Sequence, residues 1–193
     1  MRQCRTPALS IGTGKDLQKT LRDWAEANPE TVESTNLIIG FGCDESELAE
    51  KRPPTREDLD AISVDTPVII VHQSGHFGVA NSKTLELAGI EKGTKSPPGG
   101  IIRVDENGEP TGVLEENAFF SALVPLLGGL GIDGMKSFAR AGSALWASYG
   151  YTTAQEGRAS QDLVEVLKVV AAEGDIPIDV VAYPDVLVAR DFI

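Results

Sequence analysis

Apolar positions recur along the chain at two periods, and each period predicts a different kind of element. Leu17, Leu21 and Trp24 stand at helical spacing, with Asp16 in the first turn where the helix dipole favours negative charge. Residues 15–28 therefore read as a helix that Pro29 stops. Leu37, Ile38 and Ile39 make a short strand within residues 36–42, which ends in two glycines. Pro53 and Pro54 mark a turn, and Thr55 with Asp58 three residues on forms a weakened capping box for a helix over 56–61. Pro67 opens the run Val68–His72, whose continuous β-branched residues suit a strand covered on both faces. Asn81 or Ser82 caps a short helix through Leu85 and Leu87, and Gly89 ends it. Residues 101–105 and 111–114 make a hairpin about Asn107-Gly108, a pair that tolerates positive φ.

The texture changes at Glu115. A helix is expected over 115–123, then a glycine loop over 128–131. A long helix over 135–149 follows, with Asp133 as its N-cap and Phe138, Ala141, Leu145 and Trp146 on one face. Residues 151–155, a helix capped by Ser160 and closed by Gly174, and residues 176–183 make a strand–helix–strand unit, which implies parallel strands. The expected fold class is α+β over the first two thirds and α/β over the last third. A parallel sheet of two or three strands is a poor place to stop, so a truncated chain is expected.

Composition narrows the function classes. The chain has 193 residues, with 17 Lys and Arg against 29 Asp and Glu for a net charge of −12. Binding a phosphate backbone needs clustered cations to displace counterions, so no nucleic-acid partner is expected. No apolar run approaches the ~18 residues of a membrane span, so no membrane partner is expected either. Cys4 and Cys43 are too few for a disulfide framework or a zinc ribbon, and the first residues lack the apolar stretch of a signal peptide. A reducing cytoplasm fits these features.

Several groups of residues could carry chemistry. His72 and His76 are the only histidines. Four residues apart on a helix they could share a zinc ion, but on a strand they lie ~13 Å apart and cannot. His76 follows Ser74-Gly75 at the end of a buried strand, and is either a substrate contact or a hydrogen-bonded structural residue. Asp105, Asn107, Glu109 and Glu116 fall at positions one, three, five and twelve of a calcium loop, but Pro110 occupies the sixth position, which requires glycine. The hairpin explains the same residues. The stretch from Gly129 to Gly134 matches a dinucleotide fingerprint. Against that reading, Pro125 interrupts the strand that should precede it, and Asp133 puts a carboxylate where pyrophosphate would lie. Glu115 and Glu116 either complement a helix dipole or point into a cleft at the sheet edge. Glu156 ends a strand of the strand–helix–strand unit, where α/β proteins place ligands.

Several phrases, taken in order, resemble one family. Thr55-Arg56-Glu57-Asp58-Leu59-Asp60 is followed by Pro67-Val68, then by Ser74-Gly75-His76, Asn81-Ser82, Leu85 and Ala88-Gly89-Ile90. Pro98-Gly99-Gly100 comes next, and then Gly108-Glu109-Pro110-Thr111-Gly112-Val113-Leu114 with Glu116 and Ala118. Gly150-Tyr151-Thr152-Thr153-Ala154-Gln155-Glu156-Gly157 closes the series. This order is similar to the metal-dependent amidohydrolases of the YtcJ-like group (amidohydrolase family 3), relatives of N-substituted formamide deformylase.

The resemblance implies a TIM-like (β/α) barrel with a large insertion after its first strand. Residues 1–127 would lie in that insertion, a cap of hairpins and short helices, and residues 128–193 would be partial barrel units. It also implies hydrolysis of amide-like C–N bonds in small molecules by water on one or two divalent metals, usually zinc. The group's His-x-His pair, later histidines and aspartate have no counterpart here, so this stretch alone is expected to bind no metal and to be inactive. The matched positions make Glu116 a possible metal-side carboxylate, His76 a substrate or oxyanion contact, Asn81 a substrate-binding residue and Glu156 a further catalytic candidate. An unfinished barrel exposes apolar strand edges, so self-association into a homo-oligomer is expected. The alternatives are a non-catalytic binding module and, less favoured by the residues, a dinucleotide-binding enzyme.

Overall fold

The structure, a computed structural model, describes residues 12–186. Cys4 and the early arginines lie outside the described residues. The chain divides into two units between Gly129 and Leu130.

In the first unit Thr13 caps α1 (Gly14–Ala27) by accepting a hydrogen bond from the Asp16 N–H. Leu17 and Leu21, four residues apart on one face, are fully buried. Pro29 does end α1, but it also opens α2 (Pro29–Thr35) as its first residue, where the missing N–H is not needed. That short helix was not expected from the sequence. β1 (Ile38–Cys43) follows, then α3 (Arg56–Asp60), where the Asp58 carboxylate accepts from the Thr55 N–H at 2.9 Å as the capping box requires. The remaining elements are β2 (Val68–His72), β3 (Phe77–Ala80), α4 (Ser82–Leu87), β4 (Gly100–Val104), β5 (Pro110–Glu116) and α5 (Asn117–Gly128).

Five strands form one mixed sheet in the order β1-β2-β3-β5-β4, with only β1 and β2 parallel. Side chains alternate across it. Val68 and Ile70 join Leu17, Leu21 and Leu59 on one face, while Ile69 and Val71 join Leu85, Phe119 and Ala122 on the other. β2 is thus covered on both faces, as its sequence predicts. The unit is a sheet between α1 and α3 on one side and α4 and α5 on the other.

Three differences from expectation have physical causes. β3 was missed because Gly78 interrupts a very short apolar run. The glycine is required, since a Cβ there would meet the Phe119 ring at 2.4 Å and the Ile70 carbonyl at 2.5 Å. In the hairpin, Gly108 takes the positive φ (79°) and Asn107 does not. The Asp105 carboxylate instead accepts from the Asn107 and Glu109 N–H groups. Finally, α5 starts at Asn117 rather than 115 and runs through Pro125. Ser121, whose carbonyl Pro125 leaves free, is exposed to water, while Ala118, Phe119, Ala122 and Leu126 continue the buried stripe. Packing outweighs the lost hydrogen bond.

The second unit contains α6 (Gly131–Ser148), β6 (Thr153–Ala159), α7 (Gln161–Ala172) and β7 (Asp179–Pro184). α6 begins at Gly131, so Asp133 sits in its first turn rather than at the N-cap. Ser160 caps α7 as predicted, accepting from the Leu163 N–H. β6 and β7 run parallel, Thr153 opposite Asp179 and Gln155 opposite Val181. Lys136 and Arg140 of α6 pair with Glu173 just after α7, and Arg140 also reaches Asp175.

Candidate functional site

His76 stands in the turn between β2 and β3, and Glu116 is the last residue of β5. Strand pairing brings them together, because β3 and β5 are antiparallel with Phe77 opposite Glu115. One step further out, the Glu116 N–H donates to the His76 carbonyl at 2.7 Å. The side chains then meet, with His76 Nδ1 3.2 Å from both carboxylate oxygens. The pair is open to solvent, 67% exposed at His76 and 52% at Glu116, so it adds little to stability. Glu116 also has a strained backbone, at φ 49° and ψ −123°, a region nearly reserved for glycine. Its strand ends and α5 begins at that one residue. Glu115 does not share this position, since it remains in β5 and pairs with Arg103.

A second cluster lies at the ends of the two parallel strands. Gly42, at φ 84°, sits in a bulge between Phe41 and Cys43, after which the chain presents Asp44 and Glu45. Cys43 is in register with His72, the last residue of β2. Donor atoms of Asp44, Glu45 and His72 lie within 4.8 Å of one another, the one such group of three among the described residues. His72 Nε2 is 3.3 Å from Glu45 Oε2, its Nδ1 is 2.8 Å from the Ser74 hydroxyl, and its ring stacks on Phe77 with centroids 4.0 Å apart. Hydrogen bonds from Ser46, side chain first and then backbone N–H, hold the Asp44 carboxyl below its ordinary range, and His72 and Lys51 add to this. Burial pushes the neighbouring Cys43 thiol up to about 11, helped by Glu45, Asp44 and Glu47, so it stays protonated.

Sequence reasoning weighed the two histidines only against each other and missed this cluster. The available signal was two carboxylates just past one strand and a histidine ending the next. It becomes a contact only once the strands are known to be adjacent and parallel. The histidines do part company: His72 joins Asp44 and Glu45, and His76 joins Glu116.

The other candidates fall elsewhere. Asn81 is fully buried as the N-cap of α4. Its Oδ1 accepts from Val68 and Thr84 N–H groups, and its amide nitrogen donates to the Ser63 and Thr66 carbonyls, so all four hydrogen-bonding positions are used inside the protein. Glu156 lies in the second unit, where its carboxylate accepts from the Arg158 N–H and it borders a groove of about 200 Å³ with Phe138, Trp146 and Leu163. The calcium-loop positions are spread along a hairpin, with Pro110 in β5. The glycine fingerprint is preceded by helix α5 rather than by a strand, which removes the support for dinucleotide binding.

The sequence pattern of the amidohydrolase family matches residues 1–191. The chain belongs to the amidohydrolase family. It is 34% identical over 110 residues to the putative amidohydrolase YtcJ of Bacillus subtilis (strain 168), a match covering 57% of this chain and 20% of that protein. It is 35% identical over 115 residues to N-substituted formamide deformylase of Arthrobacter pascens, covering 60% and 20% respectively. The crystal structure of an uncharacterized metal-dependent hydrolase from Pyrococcus horikoshii OT3 superposes with a TM-score of 0.63 at 24% identity, covering 91% of this chain and 32% of that one. This mixed α/β architecture is therefore similar to a metal-dependent hydrolase fold. The chain matches about a fifth of the length of these two curated relatives.

Proposed function

We propose that this amidohydrolase-family chain is part of a longer enzyme that hydrolyses an amide-like C–N bond in a small molecule, using a divalent metal, zinc in particular. On this reading residues up to 127 cap the mouth of a (β/α) barrel and shape the substrate site. β6, α7 and β7 are then barrel units. Their parallel pairing supports this, as does their exposure, since Val181 and Tyr183 face solvent and parallel sheets are ordinarily covered on both faces.

The observation that carries the proposal is the His76–Glu116 pair on a strained backbone, because strain of this kind collects where function holds a side chain in place. A bound divalent ion supplies activated water at neutral pH and polarises the scissile carbonyl. Glu116, held on the strained backbone at an open surface, offers a carboxylate toward the metal side or toward a proton in transit. His76, held by that carboxylate, presents its Nε2 edge to a substrate oxygen. The pair supplies two donors, short of the three protein ligands of a catalytic zinc site. The group's His-x-His ligands lie outside this stretch on this reading, and the chain alone does not turn over.

The test is Glu116→Gln in the full-length parent enzyme, reading bound metal and kcat/KM over a panel of formamides and other small amides. A loss of ~10² or more in kcat/KM, with circular dichroism unchanged, is expected for a residue in proton transfer. Unchanged metal content together with unchanged rates removes Glu116 from the site.

A further inference from the structure

We propose that Asp44, Glu45 and His72 bind one divalent transition-metal ion of the zinc class at the adjacent ends of β1 and β2. The proposal stands on residues that the hydrolase reading does not use. Two carboxylates and an imidazole are a donor set such ions accept, and three protein donors leave a coordination position for water. Spacing supports it. Bonds of ~2.05 Å to a tetrahedral ion put neighbouring donors ~3.4 Å apart, and Glu45 Oε2 already lies 3.3 Å from His72 Nε2. The Asp44 donor is within 4.8 Å of both, a gap that turning one carboxylate closes.

The histidine is oriented for the task. The Ser74 hydroxyl holds Nδ1 and the Phe77 ring packs on its face, which leaves Nε2 directed at the carboxylates. The Ser74 N–H also donates to Nδ1 at 3.1 Å, so without an ion the ring proton sits on Nε2 and faces Glu45, and an ion would take that proton's place. On the other side of His72 and Glu45 a small apolar recess of about 10 Å³ is lined by Cys43, Pro53 and Phe77; Asp44 does not border it, so it is not the ion's position. The free thiol of Cys43 in its wall is 5% exposed. Charge points the same way, since the carboxylates of Glu45, Asp44 and Glu47 together help hold the Cys43 thiol protonated. Asp44 is satisfied without an ion by the Gln73 amide and by the hydroxyl and N–H of Ser46, and an ion would have to displace one of these. An ion here ties the loop after β1 to the turn that carries His76.

The test uses the 193-residue chain stripped with chelator and titrated with zinc chloride by calorimetry, with cobalt chloride as a spectroscopic substitute. One binding event tighter than about 10 μM is expected, together with a higher melting temperature and the visible bands of low-coordinate cobalt. Asp44→Asn and His72→Ala should each weaken binding at least tenfold. His76→Ala should bind zinc as the parent does. If His72→Ala fails to fold, Asp44→Asn decides, since the partly exposed Asp44 side chain bonds Ser46 and Gln73 and takes no part in the core. No saturable binding at millimolar zinc, or unaltered binding by Asp44→Asn, overturns the proposal. Loss of binding by His76→Ala overturns it too. None of these readouts involves amide turnover, so this proposal and the hydrolase reading fail separately.

Discussion

Glu116 combines an exposed carboxylate with a backbone conformation that costs about 1–3 kcal/mol for a residue bearing a Cβ. Replacing it with glycine removes that strain and the pairing with His76 at once. Glu116→Gly is therefore expected to raise the stability of the chain by about 1 kcal/mol in urea unfolding while losing whatever the carboxylate does in the parent enzyme. A destabilised glycine variant would show that the backbone is not under strain. Asn81 is the opposite case. Asn81→Ala strands the buried N–H groups of Val68 and Thr84, and a loss of about 2–4 kcal/mol is expected at the urea midpoint. A loss under 1 kcal/mol would mean that water enters and replaces the amide.

At the scale of elements, α3 has only five residues and depends on its cap. Burial works against the charged form of Asp58, yet the Arg52 guanidinium and the Thr55 N–H hold its carboxyl below the usual 3.8. A carboxyl lowered in the folded state contributes stability that is complete above its ordinary value and disappears as pH falls through the lower folded value. Wild type should therefore lose more stability than Asp58→Asn between about pH 6 and pH 2.5. Parallel losses in urea melts would remove Asp58 from the acid transition. β3 gives a second element-scale prediction. In Gly78→Ala the new methyl collides with the backbone carbonyl of Ile70 and with the Phe119 ring, both fixed in the core. A drop of several kcal/mol or failure to fold is expected, whereas Phe119→Leu with Gly78→Ala should recover part of it by freeing space. No recovery would make the Ile70 carbonyl the dominant clash.

Taken whole, the molecule distributes its core unevenly. Both hydrophobic clusters among the described residues lie in the first unit, while β6 and β7 are exposed or half-buried along their length except at Ala159. Amide hydrogen exchange should therefore be slowest at Ile69, Ile70 and Leu114 and markedly faster along β6 and β7. Equal protection of both units would contradict this distribution. No single helix among the described residues is long and apolar enough to cross a membrane.

What the amino-acid order determined by itself was local or periodic. It reached the amphipathic α1, the Thr55–Asp58 cap, the doubly covered β2, the Ser160 cap and the parallel β6–β7 pair, and its motifs reached the family. Each of these depends on residues within a few positions of one another, or on phrases in a fixed order. Tertiary structure decided what depends on contacts between distant segments. β3 exists because Phe119 packs over Gly78, and α5 passes Pro125 because its apolar stripe is buried beyond it. His76 meets Glu116 only because β3 and β5 are neighbours, and Asp44 and Glu45 meet His72 only because β1 and β2 are. A side chain's neighbours across a sheet follow from strand order and register, and neither is encoded in the spacing of the residues that meet.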